Sequence, residues 1–269
     1  MKYLYWNTFR NKKINPILVN MIKEYGCDVV ALSEYEDNIL NLLHELDKVG
    51  VNMYRTPKII CNRVVVISKF KPSEVKIYND SLHYIILGFK NNQNDINIAT
   101  FLHLKSKMNT NSVSDLLASI INLKSNLEMV EKETNNKKSF IAGDFNLNPF
   151  EEPMVGALGA HAISSRKQAN KGKRVIEGIE YSMFYNPMWN LFGDNSYPPG
   201  TYYYSSSNHV NYYWNIFDQV IIRPELIDNF SLEKLRILTK VNGESLLNRN
   251  GIPNKNKISD HLPLLFSID

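Results

Sequence analysis

Apolar positions along this chain recur with two periods, and the switches between them mark out an ordered series of strands and helices. Met1-Lys2-Tyr3-Leu4-Tyr5-Trp6-Asn7 alternates as a strand does. Ile14, Ile17, Leu18, Met21, Ile22 and Tyr25 then fall at helical spacing, with Gly26 as a stop signal. Residues 28–33 are a short apolar run, the pattern of a buried strand, and they deliver Glu34 at their C-terminal end. A second helix is expected over about 37–49. β-Branched and aromatic residues predict strands at 63–68, 74–78, 84–89 and 96–102. Residues 111–132 have the length and periodicity of a long helix, with Asn111 or Ser112 as its cap. Residues 139–142 read as another buried strand ended by Gly143, and 216–222 and 262–268 close the chain as strands. There is no repeat and no linker. Helices between buried strands in both halves predict two sheets packed on each other with helices outside, a layered α/β sandwich.

Composition narrows the classes without choosing among them. Of 269 residues, 43% are hydrophobic and 22% charged, ordinary for a chain that buries a large core, so a disordered protein is excluded. Layered α/β folds of this length often form one unit, and a single domain over 1–269 is expected. A net charge of +4, from 31 Lys and Arg against 27 Asp and Glu, permits a polyanionic partner without requiring one. Two cysteines, Cys27 and Cys61, do not make a disulfide framework. The opening strand leaves no room for a secretory apolar region, so the mature protein is expected to begin at residue 1. No apolar run approaches the roughly 20 residues that span a bilayer, and a soluble cytoplasmic protein is expected.

Candidate chemistry lies where apolar strands stop. Glu34 follows Val29-Val30-Ala31-Leu32-Ser33, His103 follows Ile98-Ala99-Thr100-Phe101-Leu102, Asp144 and Asn146 follow Phe140-Ile141-Ala142-Gly143, and Asp260-His261 precedes Leu262-Pro263-Leu264-Leu265-Phe266. Each taken alone also reads as a cap or turn residue. Polar groups at several strand ends can instead converge on one rim of a sheet, where open α/β folds place their sites.

Gly143-Asp144-Phe145-Asn146 and Ser259-Asp260-His261-Leu262-Pro263 resemble the two most specific motifs of the endonuclease/exonuclease/phosphatase superfamily. In matching order, Trp6-Asn7 resembles its first-strand asparagine, Leu32-Ser33-Glu34 its metal-binding glutamate, His103-Leu104 its central histidine and Phe217-Asp218-Gln219-Val220 its late aspartate. Together they span residues 6 to 263. The resemblance implies a four-layer α-β-β-α sandwich of two mixed sheets and hydrolysis of phosphate esters with Mg²⁺ or Mn²⁺, cations suited to hard oxygen ligands. It implies Glu34 as the metal carboxylate, with Asn7 and Asp260 nearby. Asp144 and Asn146 would orient and deprotonate the attacking water, facing one side of an extended segment, while Gly143 lets the backbone come close. His261 would face the phosphate with Asp218 fixing its tautomer, and His103 would contact the phosphoryl oxygens or the leaving group.

Two stretches bear on the substrate. Gly200-Thr201-Tyr202-Tyr203-Tyr204 and Tyr212-Tyr213-Trp214 flank a Ser/Asn-rich turn before Asp218, and their rings either stack on bases and sugars or pack a sheet face as ordinary strand residues. Arg166, Lys167, Lys171, Lys173 and Arg174 either track a phosphate backbone or form a solvated loop. His44, His83, His161 and His209 are assigned no chemistry. No phosphate-binding loop, nucleophile elbow or zinc spacing is present. The leading expectation is a nuclease or related phosphodiesterase with DNA or RNA as partner. A phosphatase or phosphodiesterase of a small or lipid-linked phosphate is the second, and a catalytically silent scaffold the third.

Overall fold

The computed structural model describes residues 1–90, 95–107, 113–195 and 197–269. Asn111 and Ser112, the expected helix caps, lie outside the described residues.

The first sheet runs in the order Arg236–Ile237, Leu264–Ser267, Lys2–Asn7, Val29–Ser33, Val64–Ser68, Tyr54–Arg55. The second runs Lys76–Asp80, Tyr84–Lys90, Ile96–His103, Ser139–Asp144, Asp218–Ile222, Phe184–Tyr185, Ala162–Ile163. Both are mixed: Lys2–Asn7 pairs parallel with Val29–Ser33, and Ile96–His103 parallel with Ser139–Asp144, beside antiparallel neighbours.

The period of two sorts each strand between two cores. Tyr3, Tyr5, Val29, Ala31, Val64, Val66 and Phe266 of the first sheet meet Ile85, Leu87, Phe101, Phe140, Ala142 and Val220 of the second. The alternate residues Leu4, Trp6, Val30, Leu32 and Ile67 turn outward to helices Asn15–Tyr25 and Ile39–Lys48. On the other side Ile86, Ile98, Ile141 and Ile221 pack on Leu116, Ile120, Leu123 and Leu127 of helix Val113–Thr134. Each such side chain, fully buried, contributes about 1.5–3 kcal/mol. The result is a layered α/β sandwich, as the pattern predicted, in the α-β-β-α form with two mixed sheets that the resemblance implied.

Local signals set the element ends. Pro16 opens the first helix, Gly26 closes it in the left-handed conformation at φ 61°, and the Asn38 side chain caps the second by accepting from the Asn41 amide at 3.1 Å. The strand expected at 74–78 lies at Lys76–Asp80, because Pro72–Glu74 forms a 3₁₀ turn. His103 and Asp144 are the last residues of their strands rather than the first residues beyond them. Cys27 and Cys61 are free and buried. Among the described residues, no helix is long and apolar enough to cross a membrane.

Candidate active site

Strand register lines up most of the chemistry before any side chain is considered. In the second sheet His103 pairs with Asp144, and Asp144 pairs with Asp218, so three polar residues stand abreast at one end. In the first sheet Asn7 pairs with Ser33 at the same rim, and Glu34 follows in the left-handed conformation at φ 47°. A β-carbon at Gly143 would collide with the Leu102 carbonyl, so glycine is what lets these two strands close beneath the site. The Tyr5 hydroxyl, in the core below, donates to Leu102 O at 3.1 Å and lies 2.7 Å from Ser33 Oγ, tying the two sheets together.

The segment Ser259-Asp260-His261 is pinned to the first strand at several points. Ser259 Oγ donates to Asn7 O at 2.7 Å, Trp6 Nε1 donates to His261 O at 2.9 Å, and Leu262 N donates to Thr201 O at 2.8 Å. Asp260 and His261 are thereby carried into the rim, 252 and more residues from the strand that holds them.

Asp144 is the hub of the resulting cluster. Its Oδ2 accepts from Asn7 Nδ2 at 3.0 Å and lies 3.7 Å from His103 Nε2 and 3.9 Å from His261 Nε2. Its Oδ1 accepts from the Asn146 backbone amide at 2.9 Å. Asn146 is therefore not in the extended segment expected from the sequence: it sits at φ 53°, folded back over Asp144, with its side-chain amide donating to Leu104 O at 3.0 Å. An Asx turn, not a period of two, brings Asp144 and Asn146 together.

The two histidines differ electrostatically. Burial opposes charge on His261, but Asp218, whose Oδ2 lies 2.7 Å from Nδ1, and Asp144 hold its pKa up to about 10. His261 is thus an imidazolium at neutral pH, with Nδ1 donating to Asp218. Burial pushes His103 below the ordinary value despite Asp144 and Glu34. Burial pushes Asp260 up, with Glu34 adding to the shift and His261 and Lys255 opposing it.

Oxygen donors for a divalent cation are present in the same rim. Glu34 is half-buried, with Oε1 3.7 Å from His103 Nε2 and Oε2 3.4 Å from the exposed Arg10. Asp260 Oδ1 is buried without a hydrogen-bond partner, an acceptor that a cation would satisfy. Asn7 Oδ1 accepts from the Phe9 amide at 3.0 Å and keeps a second lone pair. Asp144, Asp218 and His261 also bring ligand atoms within 4.8 Å of one another. There the His261–Asp218 hydrogen bond already occupies two of the three groups, which makes Glu34, Asp260 and Asn7 the better-fitting set.

All eight residues singled out in the sequence reach this rim, and seven of them, Asn7, Glu34, His103, Asp144, Asn146, Asp260 and His261, line one cavity of about 520 Å³. Asp218 is fully buried behind His261. The far wall is the hairpin of strands Tyr202–Tyr203 and Trp214–Asn215. Tyr202, Tyr204 and Tyr212 line the cavity with Phe217, Asn208 and Asn211. Tyr202 stacks on Phe217 at 5.2 Å and tilts against His261 at 4.7 Å. Tyr203 and Trp214 instead pack on each other at 5.4 Å. Sequence reasoning missed Arg10, Phe9 and Lys107, which no periodic signal marks. It also missed Asn148, whose side chain bonds Asn215 and Ile216 and so ties the Asp144 loop to the hairpin.

Of the basic cluster, Lys167, Lys171, Lys173 and Arg174 are exposed, but Arg166 does not join them. The Arg166 guanidinium is turned inward, donating to Ile227 O at 2.6 Å and Phe230 O at 3.3 Å, and Lys173 pairs with Glu180. His161 is buried against Ser182 O, while His44 and His209 are exposed.

Carboxylates, amides and a His–Asp pair gathered at the strand ends of a two-sheet sandwich define a metal-dependent phosphoester hydrolase. The chain belongs to the Endonuclease/Exonuclease/phosphatase family, which it matches over residues 4–261. Its fold is similar to that of an AP endonuclease from Archaeoglobus fulgidus, at 14% identity over 100% of this chain and 99% of that one, with a TM-score of 0.56. The human Nocturnin catalytic domain with bound sulfate anion is 17% identical over 100% and 94% of the two chains, with a TM-score of 0.56. A 3′ phosphatase from Neisseria bound to product DNA hairpin is 14% identical over 100% and 99%, also at 0.56. Among curated proteins, no relative matches.

Proposed function

We propose that this protein is a Mg²⁺- or Mn²⁺-dependent nuclease that hydrolyses phosphodiester bonds of DNA or RNA. The observation that carries the reading is the position of Asp144, at the meeting point of Asn7, His103 and His261 on the floor of the cavity.

Glu34 and Asp260, with Asn7, would hold the cation, which neutralises phosphoryl oxygens and eases departure of the leaving oxygen. Asp144 takes the proton of the attacking water, and the Asn146 side-chain oxygen, left free by its amide's bond to Leu104, orients that water. The His261 imidazolium faces the phosphoryl oxygen, supported by Asp218 as an orienting carboxylate. His103, kept neutral by burial, donates to the phosphoryl or leaving oxygen without adding charge beside Asp144.

The far wall favours a nucleic acid over a bare phosphate. Rings of Tyr202, Tyr204, Tyr212 and Phe217 interleaved with amides suit the faces and edges of bases and sugars. The test is incubation with Mg²⁺, Mn²⁺ or EDTA against single-stranded, duplex and abasic DNA, RNA, and small phosphomonoesters and diesters, with an Asp144→Ala/His261→Ala control. Metal-dependent, variant-sensitive cleavage of a nucleic acid is expected. Turnover of small phosphates alone would replace this reading with a small-phosphate phosphatase, and no turnover of any member would favour a silent scaffold.

A further inference from the structure

The rim continues past the catalytic cluster on the side away from the aromatic hairpin. Tyr84 pairs with Leu102, so His83 stands beside His103, whose amide donates to His83 O at 2.9 Å. The row across the second sheet is therefore His83, His103, Asp144, Asp218, with the hairpin adjoining its last member. In the first sheet Val64 pairs with Ser33, which puts Arg63 level with Glu34.

Arg63 is half-buried, and its side chain makes no hydrogen bond or ion pair among the described residues. After burial itself, its charge is among the causes that hold both His83 and His103 down, and exposed Lys105 acts on His83 in the same sense. The carboxylate of Asp80, the acid beside this loop, is engaged by the successive amides of Ile59, Ile60 and Cys61. Nδ1 of His83 is buried without a partner. A guanidinium on a half-buried residue at the rim stays open to an incoming anion, and its planar fork matches two oxygens of one phosphate.

We propose that Arg63, seconded by Lys105, forms an anion subsite next to the catalytic rim that takes the phosphate adjacent to the scissile one along a nucleic acid strand. The inference rests on the nuclease reading, because a strand is what places a second phosphate there. It makes Arg63 a binding residue rather than a catalytic one.

Calorimetric titration in EDTA with thymidine 3′,5′-bisphosphate and thymidine 5′-monophosphate separates the two ideas without turnover. In the unaltered protein the bisphosphate should bind about tenfold more tightly, the effect of one charge-assisted pair. Arg63→Gln should reduce that advantage to less than about threefold, leave monophosphate affinity unchanged, and be partly rescued by Arg63→Lys. An advantage that survives Arg63→Gln overturns the subsite. With Mg²⁺, adding a terminal phosphate to a thymidine dinucleotide should raise kcat/KM through KM, and Arg63→Gln should abolish the gain with kcat unchanged. An equal fall in kcat for both dinucleotides would place Arg63 on the scissile phosphate and also overturn the proposal. Bisphosphate discrimination without hydrolysis of any nucleic acid would overturn the nuclease reading while supporting the anion subsite.

Discussion

Strands Ser139–Asp144 and Asp218–Ile222 pair along their length, yet their two ends carry opposite chemistry. At one end stand Asp144 and Asp218. At the other, Arg223 follows the second strand, and its guanidinium bonds Glu131 through two nitrogens at 2.8 and 3.0 Å, Glu128 at 3.2 Å and Met183 O at 3.2 Å. Ser139 also donates to Glu131, and the guanidinium lies 4.0 Å above the Phe184 ring. Here the buried arginine meets two carboxylates and a carbonyl, and the network locks helix Val113–Thr134 onto the sheet. At the rim, Asp144, Asp218 and Asp260 surround one charged imidazole, Glu34 adds a fourth carboxylate beside His103, and an oxygen of Asp260 lacks a partner. Uncancelled charge in a buried place costs stability until a ligand of opposite sign arrives, so the contrast separates a device for holding the fold from one for holding a cation and a phosphate.

The contrast breaks first if the rim can be altered without losing activity. Asp144→Ala should lower kcat by about 10²–10⁴-fold, the range for removing a positioned acid–base group, with the urea midpoint unchanged or raised because one of several crowded negative charges is gone. The paired end should behave in reverse. Arg223→Ala should cost about 3–5 kcal/mol in urea denaturation, because Glu131 is left buried and unpaired, while the folded fraction keeps its specific activity. Between these lies Asp218→Asn, which keeps the shape but removes the charge that supports His261. Its kcat should fall by about 10²-fold or more, and the His261 pKa read by NMR should drop from about 10 toward the ordinary 6.5. The sign follows from the raised value: His261 stabilises the fold fully below pH 6.5 and loses that contribution as pH rises through about 10. An unchanged His261 titration in Asp218→Asn would show that Asp218 does not sustain its charge.

What could be read from the sequence was what short windows encode. Alternation in Tyr3-Leu4-Tyr5-Trp6 and helical spacing from Ile14 to Tyr25 gave correct elements because each strand or helix buries a face against a layer. Asp144, Asn146, Asp260 and His261 were legible because each pair lies within one turn. Illegible features depend on distant partners. Nothing near Arg223 announces Glu131, 92 residues away, and nothing near Asn7 announces Asp144, 137 residues away. The charge run from Arg166 to Arg174 looked continuous, but Arg166 turns toward carbonyls about 60 residues further on, and that folding cannot be seen in a local count. Asn146 was misplaced for a subtler reason: a residue two positions after a strand can be extended or folded into a turn, and the choice lies in its own φ.

The smallest effect tests whether the paired end is fully relaxed. Lys124 sits on the inner side of helix Val113–Thr134, its Nζ donating to Ser182 O at 3.0 Å and Gly159 O at 3.2 Å. Burial lowers its pKa from 10.5 to about 8, with Glu128 opposing the shift and Arg223 adding to it. Below pH 8 both folded and unfolded chains carry the charge, so its burial cost is present in full. Between pH 8 and 10.5 the unfolded chain binds more protons, and the contribution of Lys124 to stability rises with pH. Relative to Lys124→Met, the unaltered protein should gain on the order of 1 kcal/mol across that window, allowing for partial solvation of the side chain. Urea midpoints at pH 7.5 and pH 10 measure it. Parallel behaviour of the two proteins would mean that Lys124 titrates as an exposed lysine does, and that the arginine end of the sheet carries no residual charge imbalance of its own.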